Sequence, residues 1–416
     1  MSQEPPPTEV TALGPSVLLT VTGPDHPGVT QGLFTALSRH PLVVVDIEQV
    51  VIRGQLILGV LVAARPGATV DLLAVEQDAR SQMTAMGMDL AASPGDASGP
   101  AGGTPRTARL HVTLLGAPLA PAAVAAMAGC IASVGGNIER IDRLAAYPVT
   151  AIELMVSRAG PDRLRALLSE EAARLGVDVA VQAAGLHRRA KRLVVLDVDS
   201  TLIQGEVIEM LARHAGCEDQ VAEITNAAMA GELDFEESLR RRVALLAGLP
   251  ETVLSQVRDA VRLAPGARTL VRTLLRLGYR VAIVSGGFSQ VTDPLAADLG
   301  LDYSQANTLE VADGRLTGGL VGVVVDRAEK AAALERFAAA AGVPLAQTVA
   351  IGDGANDLDM LARAGLGIAF NGKPVLREAA DMSVTVPYLD AVLFLLGVTR
   401  EEIEAADAET GDSLLG

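Results

Sequence analysis

A chain of 416 residues is too long for one domain of ordinary size, and its 50% hydrophobic content supplies more than one core. Fifty acidic against 34 basic residues give a net charge of −16, which argues against a nucleic-acid partner because the phosphates would be repelled. Cys130 and Cys217 lie far apart without metal-ligand spacing, so a disulfide-built scaffold is excluded, a reducing compartment is indicated, and each cysteine is expected to be a small buried hydrophobe.

The chain opens on Met-Ser-Gln-Glu-Pro-Pro-Pro, without the basic and apolar regions of a signal peptide, so residues 1 to 14 read as a disordered tail and a cytoplasmic location is expected. Predicted strands at Val17 to Thr22 and Leu110 to Leu115 each begin a unit of strand, loop, helix, strand, strand and helix. A displacement of 91 residues sets Val21-Thr22 on Val112-Thr113, Pro27 on Pro118, and Asp46-Ile-Glu48 on Asn137-Ile-Glu139, which a duplicated fold explains economically. The units occupy residues 15 to 90 and 107 to 185, and the Ala, Gly, Ser and Pro of 91 to 106 form a flexible linker. Residues 112 to 137 carry no formal charge, yet their prolines, alanines and glycines make a poor membrane span, and no membrane partner is expected.

Gly23-Pro-Asp25-His-Pro27-Gly28 can be an ordinary turn into a helix, since Asp caps helices and Pro with Gly makes turns. It also resembles the ligand loop of ACT domains, small βαββαβ modules of ferredoxin-like fold that bind amino acids. That resemblance makes Asp25 and Gly28 regulatory-ligand residues. In the second unit Asp25 aligns with Gly116, so the acid that could hold an ammonium is lost, and Gly116 would instead permit close backbone approach at a shared interface.

From residue 186 to 400 the pattern changes to alternating strand and helix. Val195-Leu-Asp197-Val-Asp199-Ser-Thr201 is an apolar strand that delivers two carboxylates to its C-terminal tip, where open α/β sheets bind ligands. Alone, such a pair reads as a cap and a solvated loop. Arg280-Val-Ala-Ile-Val-Ser285-Gly286-Gly287 ends a second strand in a hydroxyl and glycines suited to a phosphate. Lys330 follows at the start of an alanine-rich helix, and Thr348-Val-Ala-Ile-Gly352-Asp353-Gly-Ala-Asn356-Asp357 is a third strand emptying into acids. Residues 204 to about 264, between the first two motifs, read helical, with Gly231, Gly248 and Pro250 as breakers.

In that order these segments resemble the four motifs of the haloacid dehalogenase superfamily, and Gln204-Gly-Glu206-Val-Ile-Glu with Phe235-Glu-Glu-Ser-Leu-Arg-Arg-Arg242-Val resemble the substrate segments of its phosphoserine phosphatases. The resemblance implies an α/β, Rossmann-like core with a helical cap over 204 to 264, behind two ACT domains. Asp197 would be the nucleophile that forms an aspartyl-phosphate, and Asp199 the general acid and base. Ser285, Gly286, Lys330 and Asn356 would hold the phosphoryl group. Mg²⁺ would be bound by Asp197, Asp353 and the main-chain oxygen of Asp199, with Asp357 supporting that shell or holding Lys330. Glu206 would meet the ammonium and Arg242 the carboxylate of O-phospho-L-serine, between walls of Phe235 and Met229.

A homodimer that senses L-serine through its ACT units is expected, and the acidic stretch from 401 to 416 reads as a helix fraying into disorder. Two alternatives stand: a phosphatase or phosphotransferase for another small phosphorylated alcohol such as phosphohomoserine, and an amino acid sensor with an idle catalytic domain.

Overall fold

The structure, a computed structural model, describes residues 13–96, 109–185, 188, 190–229 and 233–410. The chain divides into two compact units, residues 1–103 and 104–416.

The first unit comprises β1 (Ser16–Pro24), α1 (Val29–Leu37), β2 (Leu42–Ile52), β3 (Gln55–Ala64), α2 (Leu72–Ala85) and β4 (Asp89–Pro94). Its antiparallel sheet runs in the order β2-β3-β1-β4. Strand alternation buries Val17, Leu19 and Val21 on one face. Against it lie Val29, Leu33 and Leu37 of α1 and Val75, Ala79 and Met83 of α2, spaced to form one stripe per helix. Asp71 starts α2 by accepting the Leu73 and Ala74 amides. Edge strand β2 is unlike the rest, because Val44, Ile47, Val50, Val51 and Ile52 are all exposed.

The stretch from residue 91, expected as a flexible linker, is strand at its start. Ala91 to Pro94 complete β4, in register with Thr20 back to Val17, because a waiting ladder on β1 outweighs the low strand propensity of Ala and Pro. Residues 97 to 106 of that linker and 1 to 12 of the N-terminal tail lie outside the described residues. Gly14, placed in the same tail, donates its amide to Ala64 O at 3.2 Å.

The second unit starts with the same arrangement: β5 (Leu110–Gly116), α3 (Pro121–Ser133), β6 (Asn137–Ala145), β7 (Thr150–Ser157), α4 (Pro161–Leu175) and β8 (Asp178–Ala183). The sheet order β6-β7-β5-β8 repeats that of the first unit, as the 91-residue displacement requires. Here both sheet faces are covered. Val112, Leu114, Met127, Ile131, Leu164 and Leu168 form an inner core, while Leu115, Ala145, Ala151 and Ala180 join one cluster with Leu389, Leu393 and Leu395 of the following domain. Polar ties seal this seam. Asp178 accepts the Thr385 amide (2.7 Å), its hydroxyl (2.8 Å) and the Val386 amide (3.3 Å). Glu153 takes His111 Nδ1 at 2.8 Å on one oxygen and Arg188 on the other.

The following α/β domain begins with β9 (Leu193–Leu196), whose four residues are all buried, as a central parallel strand demands. Cap helices α5 (Val207–Ala215), α6 (Glu218–Met229), α7 (Phe235–Ala244) and α8 (Thr252–Ala260) follow, then α9 (Ala267–Arg276), β10 (Arg280–Phe288), α10 (Ser289–Leu299) and the hairpin β11 (Tyr303–Ala312) with β12 (Arg315–Val321). The chain returns through α11 (Arg327–Ala341), β13 (Thr348–Gly352), α12 (Leu358–Arg363), β14 (Gly367–Phe370), α13 (Pro374–Ala379) and β15 (Met382–Val384), and closes with α14 (Ala391–Leu395) and α15 (Arg400–Thr410). The sheet order is β12-β11-β10-β9-β13-β14-β15, with β12 antiparallel to β11. Successive strands depart to opposite sides of β9, so a crevice opens at the C-terminal ends of β9, β10 and β13.

One connection bears on the cap and another on the C-terminal helix. Backbone bonds join residues 248 to 251, just after α7, to the β11–β12 hairpin: Gly248 N to Leu316 O (2.8 Å), Leu316 N to Leu249 O (2.9 Å) and Glu251 N to Gly314 O (2.9 Å). Residues 401 to 410, read as the helical start of a fraying tail, lie in helix α15. Asp407, 2% exposed, is held there by Arg272 and Arg276 of α9, a tie between distant segments that no local pattern announces. Residues 411 to 416 lie outside the described residues.

Candidate active site

Asp197 leaves the end of β9, its amide bonded to Ile351 O of the neighbouring β13 at 2.8 Å. The backbone then makes a sharp loop in which Ser200 takes a left-handed φ of 59° and donates to Gly205 O at 3.0 Å. This turn brings Asp199 back beneath the first cap helix. Its Oδ1 accepts the Val207 amide at 2.8 Å, and its Oδ2 receives the Ser285 hydroxyl at 3.1 Å. The Gly287 amide donates to Ser285 Oγ at 2.7 Å. Glycine is required at 287, since a methyl group there would stand 2.8 Å from Asp199 Oδ2.

Lys330, fully buried, projects from the first turn of α11, whose start is fixed by Asp326 accepting the Glu329 amide. Its ammonium donates to Asp197 Oδ1 at 2.6 Å and to Asp357 Oδ1 at 2.7 Å. The other Asp357 oxygen accepts the Asp353 and Gly354 amides, so this side chain both seats the lysine and shapes the loop after β13. Asp357 thus holds Lys330, and it also stands among the carboxylates that could carry a metal shell. The Lys373 amide donates to Asp353 O at 2.8 Å from the far side.

Four carboxylates around one ammonium leave surplus negative charge in a buried place. Burial and the neighbouring Asp357 charge push the Asp197 carboxyl well above its ordinary value and that of Asp353 up to about 6. Burial also raises Asp199, helped by Glu206 and opposed by the Val207 amide and Ser285 hydroxyl. For Lys330, burial alone would lower the pKa, but Asp197 and Asp357 more than compensate and raise it. Carboxylate oxygens of Asp197, Asp353 and Asp357 lie within 4.8 Å of one another, a hard-donor cluster that fits a divalent cation and whose excess charge such an ion would neutralise.

Over this floor stands the cap. Glu206 precedes α5, and Phe235 at the start of α7 reaches down so that a methyl group on Gly286 would meet its Cζ at 3.1 Å. The three arginines of α7 part company. Arg240 pairs with Glu236 and Arg241 with Glu237 on the outside, each four residues along the helix. Arg242 is 9% exposed and turned inward, where burial lowers its pKa and the Glu206 and Asp199 charges oppose that fall. Met229 ends α6, with its side chain outside the described residues, and Asn356 lies beside Gly354 in the loop after β13.

The structure therefore brings together Asp197, Asp199, Ser285, Lys330, Asp353 and Asp357, with Glu206, Phe235 and Arg242 above them. Sequence reasoning missed Val207 and Lys373, which act through backbone amides and leave no mark in side-chain identity. Asp25, Gly28 and Gly116 belong to the ACT-like units. Gly28 precedes α1 with φ 98°, while Asp25 is exposed and its amide donates to Gly54 O. Gly116 is crowded by its own loop, since a methyl group there would stand 2.9 Å from Leu119 Cα.

The haloacid dehalogenase-like hydrolase family matches residues 194–362, and the ACT domain family matches twice, over 16–93 and 109–182. A phosphoserine phosphatase of Streptomyces coelicolor is 60% identical, over 96% of this chain and 96% of its own. Phosphoserine phosphatase SerB2 of Mycobacterium tuberculosis is 55% identical, over 94% of this chain and 96% of its own. Among solved structures, the unliganded probable phosphoserine phosphatase of Vibrio cholerae is 36% identical, covers 73% of this chain and 90% of that one, and superposes with a TM-score of 0.57. With two relatives matched along nearly their whole length, the chain belongs to the phosphoserine phosphatase family of haloacid dehalogenase-like hydrolases, carrying two ACT domains ahead of its catalytic domain.

Proposed function

We propose that this hydrolase cleaves O-phospho-L-serine to L-serine and phosphate, with Asp197 as nucleophile and Asp199 as acid and base. The observation that carries the assignment is the buried Asp197–Lys330–Asp357 chain beside Asp199. An Asp197 carboxylate oxygen attacks phosphorus, the bond to the seryl oxygen breaks, and the proton of Asp199 goes to that oxygen. Burial raises Asp199 and so favours the protonated form that this step needs. Water then attacks the aspartyl-phosphate, Asp199 takes its proton, and phosphate departs. Ser285, Gly286, Lys330 and Asn356 surround the transferred group. Asp197, Asp353 and the main-chain oxygen of Asp199 would hold Mg²⁺, which would neutralise charge on the phosphoryl oxygens.

Selection of the amino acid falls to the cap. Inward-facing Arg242 would take the substrate carboxylate and Glu206 its ammonium, with Phe235 and Met229 as walls. The assay is phosphate release from O-phospho-L-serine with Mg²⁺, beside phosphothreonine, phosphohomoserine and an Asp197→Asn control. Turnover of phosphoserine alone, lost in the control and on chelation of the metal, is expected; equal turnover of all three would remove the Glu206 and Arg242 assignment.

The paired ACT domains support regulation by an amino acid, and L-serine, as the product, is the effector we assign. The exposed apolar edge of β2, with five large aliphatic residues open to solvent, supports a homodimer, because such an edge invites pairing. Asp25→Ala should flatten the serine inhibition curve and leave the uninhibited rate nearly intact. An unchanged curve would remove Asp25 from the ligand site.

A further inference from the structure

We propose that Asn307 is a positioning residue for catalysis, locking the Gly286–Gly287 peptide so that its N–H faces Ser285 and Asp199. Asn307 lies on β11, 2% exposed, where the pairing with β10 slips: Ser285 faces Ala306, the next registered pair is Phe288 with Asn307, and the two glycines between have no partner. Its carboxamide spans this gap. Nδ2 donates to Gly286 O at 2.8 Å, and Oδ1 accepts the Val325 amide at 2.8 Å.

The Gly286 carbonyl and the Gly287 N–H belong to one planar trans peptide, so fixing one fixes the other on the opposite side. With the carbonyl drawn to Asn307, the Gly287 N–H donates to Ser285 Oγ, which in turn donates to Asp199. Two adjacent glycines present little barrier to rotation of that peptide. If it turned over, a carbonyl oxygen would replace the N–H beside Ser285, an acceptor where the phosphoryl group needs donors. The other half of the carboxamide holds Val325, next to the Asp326 cap that starts the helix of Lys330. One side chain thus sets the distance between the glycine loop and the lysine helix. The demand is for a short group with one donor and one acceptor. Asparagine supplies both, ionised aspartate lacks the donor, and alanine leaves two buried backbone groups unpartnered. An asparagine inside a strand, where the residue is depleted, is the trace of this role in the sequence.

The proposal rests on the phosphoserine reading for its substrate only. Wild type, Asn307→Ala and Asn307→Asp are compared for kcat and KM on O-phospho-L-serine and on p-nitrophenyl phosphate with Mg²⁺, and for orthovanadate binding by calorimetry, at temperatures where each is folded by circular dichroism. Asn307→Ala is expected to lower kcat roughly 10²- to 10³-fold, as loss of a preorganised donor does, with KM for phosphoserine changed far less because Glu206 and Arg242 lie on the cap. Asn307→Asp should regain activity relative to wild type as pH falls, since a protonated carboxyl restores both donor and acceptor. Asp199, Asp326, Glu329 and Lys330 on the adjoining elements are common to both proteins and divide out of that ratio. Undiminished kcat and vanadate affinity per folded molecule in Asn307→Ala, or an Asn307→Asp ratio flat with pH, would overturn the role. If wild type hydrolyses only p-nitrophenyl phosphate, the substrate assignment fails, and the Asn307 effect is decided on that compound and on vanadate.

Discussion

Arg240, Arg241 and Arg242 occupy consecutive positions on one helix yet do different physical work. The first two make exposed pairs worth about 0.3–0.5 kcal/mol each, whereas Arg242 is buried near the Glu206 and Asp199 charges, its Nε donating to Ser238 O at 3.3 Å, which turns the guanidinium inward toward the site. Arg242→Ala should therefore cost about 1.5–3 kcal/mol of substrate binding, roughly 10- to 150-fold in KM, while Arg240→Ala and Arg241→Ala leave KM within about twofold. Steady-state kinetics on the three variants decides it. Helical periodicity shows only that the three diverge by about 100° each, and the resemblance of the segment ending in Arg242-Val to the family's substrate segment is what singled out Arg242. Which one faces inward depended on where α7 packs, a tertiary fact. By contrast the acids at the tips of β9 and β13 were legible, because an apolar run followed by carboxylates reports both the strand and the place where it ends.

At the scale of elements, α7 is held from behind by the β11–β12 hairpin. Gly318, with φ 85°, lets β12 lie close: a methyl group there would stand 3.1 Å from Ala247 Cβ and 3.2 Å from Ala244 Cα. Gly318→Val would meet both that contact and a backbone conformation that β-branched residues resist. It is expected to displace α7 and raise KM for phosphoserine several-fold at nearly constant kcat, measured by the same kinetics. Alternation and helical spacing made the strands and helices of both ACT units readable. They could not reveal that Asp407 docks α15 on α9, since its partners lie more than 130 residues away, nor that Ala91 to Pro94 extend a strand their own composition disfavours.

At the scale of the whole molecule, the second ACT domain is built into the catalytic domain. The ties at Glu153 and Asp178 make their seam part of the folded core of residues 104–416. Burial pushes the Glu153 carboxyl up, but the His111 and Arg188 hydrogen bonds outweigh it and hold the group below its ordinary 4.5. A depressed acid contributes stability above its unfolded value and loses it as pH falls through its folded value. Glu153→Gln should thus lower thermal stability at neutral pH by roughly 3–5 kcal/mol, the cost of leaving one member of a buried pair alone, and the difference from wild type should shrink below pH 4.5. Melting curves across that window test both sign and position.

The bonds between residues 248 to 251 and the hairpin around Leu316 carry a consequence for how such enzymes can be recombined. The cap is one stretch of chain, but its mechanical boundary is not. A chimera that exchanges residues 204 to 264 alone would cut every one of those backbone bonds at a foreign joint, whereas one that carries residues 303 to 321 as well transfers the cap with the surface it was fitted to. Specificity in this fold is therefore inherited as two separate segments that must travel together.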